Sequence, residues 1–415
     1  MLDRRLFLRR GLQFGTAAFG AAMAGKIGAA EEQPWQPQPV ESWQRRPGGP
    51  FSNYGQPSKY ESEVVRWIAS NPAVPTNGVS WTPLQDLEGI ITPNGLHYER
   101  HHNGVPDIPP ERHVLMLHGL VEQPQMFGIA QLKRYPMVSR ICFIECGGNS
   151  NALWSSNPTQ TPVGYFNGLV SCSEWTGVPL STLLDEAGLK PEAKWLVAQA
   201  ADAVSMTVSI PVEKALDDAI LALYQNGERL RPENGYPLRL VLPGWEGVTN
   251  VKWLHRLQAA EEPVMSRNET ARYTELLPDG KARQFTFVMD VRSLIINPSM
   301  GMELAGTGLY QISGLAWSGH GKVTRVEVSA DGGESWAEAE LQEPVLDKCF
   351  TRFRIPWRWD GSPAILQSRA WDSAGNVQPT REQQLAERGR WGYFHFSAIV
   401  SWEVDEEGFV SHVYA

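Results

Sequence analysis

Ile141-Cys142-Phe143-Ile144-Glu145-Cys146-Gly147-Gly148-Asn149 is the stretch that decides how this chain is read. Ile141 to Cys146 reads as a strand, and Gly147-Gly148-Asn149-Ser150 ends it. Cys142 lies mid-strand between apolar neighbours and reads as a small buried hydrophobe. Cys146 stands at the strand end, before two glycines that let backbone and ligand approach closely. Four residues of strand hold the two thiols roughly 13 Å apart, beyond the ~7 Å Cα separation of a disulfide. Two readings of Cys146 stay open here: a core cysteine before a turn, or a ligand-binding thiol on a loop. Zinc is disfavoured, because it needs about four ligands at suitable spacing and no Cys-x-x-Cys or His-Glu-x-x-His stands nearby. His101-His102, if extended, would face opposite ways. No Rossmann, P-loop or haem-attachment fingerprint occurs.

Outward from this stretch, residues 80–288 mix short strands and helices, predicting an α+β domain. Val114-Leu115-Met116-Leu117 is a buried-strand candidate, and Leu238 to Leu242 alternates like a half-buried strand. Leu180 to Ala187 is a short helix with Gly188 suited to its C-cap. Residues 289–415 change texture. Val323 to Val328 and Ala364 to Trp371 are strands with turns at Asp331-Gly332-Gly333 and Asp372-Ser373-Ala374-Gly375-Asn376, predicting an antiparallel β-sandwich. Residues 31–79, rich in Pro and Gln at the start, read as an extended arm.

Residues 1–30 read as an address. Arg4-Arg5 precede a Leu-Phe-Leu run, a Gly/Ala-rich stretch and the small residues Gly28, Ala29 and Ala30. This is the layout of a twin-arginine export signal and implies a periplasmic destination. Its apolar run is too short to span a bilayer of about 30 Å, and no other span is expected. Such export moves folded proteins, often with a cofactor already inserted. Residues 1–30 hold five basic residues and one acid, so the net charge of −9 becomes −13 without them. An acidic chain disfavours nucleic acid as a partner. Four cysteines in 415 residues are too few for a disulfide scaffold.

Several motifs in chain order now resemble one family. Cys146-Gly147-Gly148-Asn149 is similar to the Cys-x-Gly-Asn motif of the sulfite oxidase family of molybdenum enzymes. Tyr98-Glu99-Arg100-His101-His102 resembles that family's Arg-Asn-His segment, and Glu174 to Leu180 its Trp-x-Gly-Val-x-Leu segment. Asp202 with Ser209-Ile210-Pro211, then Leu242 to Gly247 and Asn250-Val251-Lys252-Trp253-Leu254, resemble further segments. Ser171 to Gly188 and Asn234 to Arg239 resemble the Sox-type molybdenum subunit of bacterial thiosulfate oxidation.

The resemblance implies a molybdopterin-binding domain followed by an immunoglobulin-like β-sandwich dimerisation domain. It implies one molybdenum with molybdopterin per chain, Cys146 as the metal ligand, and no haem in this chain. Tyr98, Glu99, Arg100, His101, His102, Asp202, Asn234, Arg239, Asn250, Val251 and Lys252 are implied to hold the cofactor. Arg239 inside an apolar strand fits, since an unpaired buried charge is costly. Arg100, Tyr273, Trp175 and Arg388 are implied beside the reacting atoms. The implied activity is oxidation of sulfite or of a protein-bound sulfane or sulfonate sulfur, with electrons passed to a c-type cytochrome subunit. A sulfur-carrier protein as substrate, and a homodimer or a heterotetramer with the cytochrome, are implied too. Alternatives are a methionine-sulfoxide reductase-like molybdoenzyme and a cofactor-free scaffold. Ser150-Asn151 and Thr249 stand where the family usually has arginines, and Asn234 replaces a histidine. These departures suit a larger sulfur substrate better than free sulfite.

Overall fold

The computed structural model describes residues 41–415 except 48, 390 and 391; residues 1–30, expected to be an export signal, and the first part of the expected arm lie outside the described residues. Residues 1–57 and 58–415 form separate units. The first shows one short 3₁₀ turn, Ser42–Gln44.

Ser58–Ala415 begins with a three-stranded antiparallel sheet: β1 (Trp67–Ser70), β2 (Gly78–Trp81) and β3 (Glu99–His101). The arm assigned to residues 31–79 therefore gives way to strands from Trp67 onward. Trp67-Ile68-Ala69-Ser70 pairs with Gly78-Val79-Ser80-Trp81, because aromatic and β-branched residues suit a pleated surface.

Ten strands follow: β4 (Val114–Gly119), β5 (Gln125–Gly128), β6 (Val138–Glu145), β7 (Val170–Pro179), β8 (Trp195–Ala200), β9 (Thr207–Pro211), β10 (Ile220–Gln225), β11 (Glu228–Arg229), β12 (Arg239–Val241) and β13 (Leu254–Ala260). They make two five-stranded sheets. One runs β11-β10-β7-β6 with β12 also on β10; the other runs β5-β4-β13-β8-β9. The helix Leu180–Ala187 buries Leu180, Leu183, Leu184 and Ala187, a single stripe, and ends at Gly188 with φ +69°. Leu238 to Leu242 is fully buried rather than half-buried, Arg239 included, because β12 lies inside the core.

A hairpin, β14 (Thr274–Leu276) with β15 (Ala282–Gln284), leads to the second half. There, β16 (Arg292–Asn297), β17 (Gly308–Trp317), β18 (Val323–Ser329), β19 (Ala337–Glu338), β20 (Glu340–Leu341), β21 (Thr351–Trp359), β22 (Ala364–Asp372), β23 (Ser401–Val404) and β24 (Val410–Val413) form two antiparallel sheets. Their orders are β16-β17-β21-β20 and β19-β18-β22-β23-β24. Leu294, Ile312, Phe353, Leu366 and Trp402 fill the space between them.

Strand parity at β6 sets up the site. Cys142 and Ile144 point into a small cluster with Tyr98, Trp175 and Val241, and Cys146 packs on that same cluster. Phe143 points the other way, into the core shared with Trp317 and Phe350 of the second half. Glu145 must then follow Phe143, toward the sandwich.

Candidate active site

Cys146 is half-buried, whereas Cys142, Cys172 and Cys349 are buried, and all four are free thiols. Cys172 and Cys349 touch at 3.5 Å between sulfurs, packing one half of the molecule against the other. Cys146 lines a cleft of about 680 Å³, counting its solvent-filled mouth. Around it stand Tyr98, Arg100, His101, His102, Asp202, Arg239, Asn250, Val251, Lys252 and Tyr273. The structure thus brings together ten of the side chains read from sequence with the thiol.

Two glycines shape the loop. A Cβ on Gly147 would lie 1.9 Å from Glu246 Oε1, and one on Gly247 would lie 2.7 Å from the Tyr98 hydroxyl and 3.3 Å from Cys146 Cα. Only glycine permits that approach. Burial pushes the Cys146 thiol up to about 11; the Gly148 amide and Arg100 oppose this, while Glu246 and Glu145 add to it. The free side chain is a thiol at neutral pH, and a metal must displace its proton.

The facing wall is cationic. Lys252 Nζ donates to His101 Nδ1 at 2.8 Å and to the carbonyls of Arg100 and Glu233 at 3.2 Å each. Burial, then the neighbouring Arg239, holds this ammonium well below the usual lysine range. Arg239 donates to the Asn234 carbonyl at 3.0 Å and lies over the Trp175 ring, 5.0 Å from its centroid. Its Nε is buried without a partner, and burial lowers it to about 10. Among the described residues, Arg100 donates to carbonyls alone, those of Gly78 and His101. Among the described residues, no carboxylate forms an ion pair with Arg100, Arg239 or Lys252. Buried cations without counter-charge are costly. His101 and His102 stay neutral for the same reasons: burial first, then Lys252 and Arg100, hold them at about 2 and about 4.

This donor set fits a phosphate-bearing pterin with a thiolate-bound metal. Arg239 Nε is a buried donor with no partner, three cations form no ion pair among the described residues, and one half-exposed sulfur stands among them. Arg239, Lys252 and His102 would hold the pterin, and Cys146 the metal.

Other expected residues act differently. Glu99 does not line the cleft; its carboxylate pairs with Arg66 and takes the His101 Nε2 proton at 2.6 Å, orienting that ring. Asn234 also lies behind the wall, with Nδ2 on Gln225 at 2.9 Å and an unpartnered Oδ1. Asn250 spends its side chain on the loop, accepting from Leu242 N at 2.7 Å and donating to the Glu246 carbonyl at 3.0 Å. Val251 is buried and takes the Leu240 N–H on its carbonyl at 2.8 Å. Asp202 accepts from Met206 N at 3.2 Å and closes the turn below the cleft. Both His101 and His102 line the cleft despite their adjacency, because β3 ends at His101 and strict alternation ends with it.

Besides Glu99 and Asn234, two further placements are corrected. Trp175 is fully buried beneath Arg239 and walls nothing; it is core, as β7 is covered on both faces. Arg388 is not on the cleft. It clamps Glu275 through both carboxylate oxygens, at 2.8 and 2.7 Å, and Asp290 at 3.2 Å. That clamp fixes β14, which directly follows Tyr273. Tyr273 itself lines the cleft and stacks on Phe394 with ring centroids 5.5 Å apart. Burial and nearby negative charge keep its phenol protonated, so it can donate.

Residues unread from sequence complete the back of the thiol loop. Glu145 and Glu246 are buried there, and His395 Nε2 lies 3.7 Å from Glu246 Oε2. The His395 N–H donates to the Gly147 carbonyl at 2.7 Å. Ser150 and Thr249 are buried with hydroxyls donating to Asn167 and the Glu246 carbonyl, so neither adds to the cleft.

With that geometry established, likenesses to known proteins can be set beside it. Residues 102–268 match the oxidoreductase molybdopterin binding domain, and residues 283–401 the Mo-co oxidoreductase dimerisation domain. The sulfane dehydrogenase SoxCD from Paracoccus pantotrophus has a crystal structure similar to this chain, with TM-score 0.88 and 44% identity over 91% of this chain and 98% of that one. The chain belongs to the sulfite oxidase family. Mitochondrial sulfite oxidase of Drosophila melanogaster is 32% identical over 72% of this chain and 57% of that protein. NADH nitrate reductase of Cichorium intybus is 30% identical over 76% of this chain and 39% of that protein. The chain thus spans well under two thirds of these curated relatives. Its fold is the family's: a molybdopterin-binding domain followed by an immunoglobulin-like β-sandwich domain.

Proposed function

We propose that this chain is a molybdenum subunit that oxidises sulfite or a protein-bound sulfane or sulfonate sulfur and passes electrons to a c-type cytochrome subunit. One observation carries the reading: a half-exposed thiol shares a cleft with three cations that form no ion pair among the described residues. The likeness to SoxCD, at 44% identity, favours sulfur over nitrate as substrate. When bound, the molybdenum cofactor supplies oxygen-atom transfer to sulfur and accepts two electrons. Arg239 and Lys252 anchor its anionic end. Arg100 and the Tyr273 hydroxyl face the reacting side and stabilise negative charge on the sulfur oxyanion. The buried Ser150 and Thr249 contribute no further cation, which supports a substrate presented on a carrier over a free dianion. One cofactor per chain, no haem of its own, twin-arginine export to the periplasm, and assembly through the sandwich or with the cytochrome complete the proposal. The acidic chain would meet a basic rim on a cytochrome, which mainly speeds encounter.

The test is metal analysis joined to a cytochrome c reduction assay. It uses sulfite, thiosulfate, and a persulfidated carrier, each with and without the co-encoded cytochrome. Molybdenum near one atom per chain with sulfur-dependent reduction is expected, and Cys146→Ser abolishes both while the fold remains. A folded chain without molybdenum would leave the scaffold reading standing. Reduction of methionine sulfoxide or nitrate, without sulfur oxidation, would replace the oxidase reading.

A further inference from the structure

The residue before Cys146 is held by the other domain. Glu145 is 3% exposed, and its carboxylate takes three donors. Trp317 Nε1, 172 residues away at the end of β17, donates to Oε2 at 2.7 Å. Asn149 Nδ2 donates to Oε1 at 2.8 Å, and Arg292 at the start of β16 reaches the same oxygen at 3.4 Å. Arg292 also donates to Asn167 Oδ1, which takes the Ser150 hydroxyl at 2.6 Å. Asn149 Oδ1 accepts from Leu169 N at 3.0 Å, beside the bond from Cys146 N to the Leu169 carbonyl at 2.9 Å. The Glu145 carboxylate and, through Asn167, the Ser150 hydroxyl thus end on Arg292 or Trp317, while the Gly147 carbonyl takes the His395 N–H and Leu169 holds Cys146 N and Asn149 Oδ1.

We infer that Arg292 and Trp317 of the β-sandwich are positioning residues for the Cys146 thiol, acting through the Glu145 carboxylate. A buried carboxylate tolerates its site only when its lone pairs are filled. Two of its three donors come from the sandwich, so the strand end carrying Cys146 has one low-energy position, defined by the docked second domain. The sandwich thereby does more than pair with another chain: it completes the thiol loop from behind. Trp402 is a fit control. It is as buried as Trp317 and lies in the same sandwich, yet its Nε1 donates to the Ile295 carbonyl at 3.1 Å and meets nothing of the loop.

The experiment measures alkylation of Cys146 in the folded, cofactor-free full-length chain, where the other three cysteines are buried. Trp317→Phe keeps the ring and removes one donor; Trp402→Phe removes an equivalent donor elsewhere. Iodoacetamide labelling, mapped by mass spectrometry, should accelerate about fivefold or more in Trp317→Phe, the scale of a lost buried hydrogen bond. Trp402→Phe should label at the parent rate. Arg292→Met should behave like Trp317→Phe, and Arg292→Lys should fall between it and the parent. Thermal melts and circular dichroism check folding, and the Arg292 pair gives the answer if Trp317→Phe does not fold. Parent-like labelling in Trp317→Phe and Arg292→Met, or equal acceleration in both tryptophan variants, would overturn the inference. The thiol readout needs no metal, so failure here is separable from failure of the molybdenum assignment, which metal content alone decides.

Discussion

The two sides of the Cys146 loop are built on opposite rules. In front, Arg100, Arg239 and Lys252 line the cleft with Asp202 and Glu233 beside them but no ion pair among the described residues, and one guanidinium nitrogen has no partner. Behind, the Glu145 carboxylate is filled by Trp317, Asn149 and Arg292. Both sides bury charge, and the rear pairs Glu145 internally, although Glu246 Oε1 and Arg292 Nε there keep no hydrogen-bond partner among the described residues. The difference teaches which face was shaped for something from outside. A fold tolerates uncompensated cations where an anion is due, and at Glu145 it fills the carboxylate beside the strand end that carries the thiol.

The widest contrast lies in the thiol between them. Burial and the carboxylates behind raise Cys146 to about 11, so alkylation of the metal-free chain should climb about hundredfold from pH 7 to 9. It should keep climbing past pH 9, where an ordinary thiol levels off. A plateau near pH 8 would mean that the front cations dominate. Next in size, Arg239→Met should weaken retention of the pterin about 10- to 100-fold, read as cofactor lost on dialysis. Unchanged retention would show that the front wall is not an anion site. The smallest effect comes from the rear. Gly147→Ala drives a methyl toward Glu246 and should lower Tm by about 2–6 °C, with part of the strain passed to the loop. An unchanged Tm would mean that Glu246 swings aside freely.

Much of the front was legible. Cys146 was marked by a strand ending in two glycines, and Arg239 by a charge inside an apolar run. The same cost applies to Glu145 in Ile-Cys-Phe-Ile-Glu-Cys, a charge in an equally apolar strand. Its partners could not be read, because Arg292 and Trp317 lie 147 and 172 residues away and their contact depends on how two domains dock. Glu246 and His395 were hidden likewise. Trp175 was misplaced because an aromatic beside a motif says nothing of which face it takes, and β7 is covered on both. Arg388 was drawn to the site by order along the chain, while its actual target, Glu275, is 113 residues away. The strands from Trp67 were masked by Pro72 and Pro75 in the turn between them, which read as continued arm.

The carboxylate hub also sets a clock. Its members stand at 145, 149, 292 and 317, so it cannot close before Trp317 has left the ribosome. Contacts this distant in sequence form late. The cleft's own residues are all synthesised by Tyr273, well before the support behind the thiol exists. Completion of the site therefore waits on the second domain, and cannot precede the synthesis and docking of Trp317.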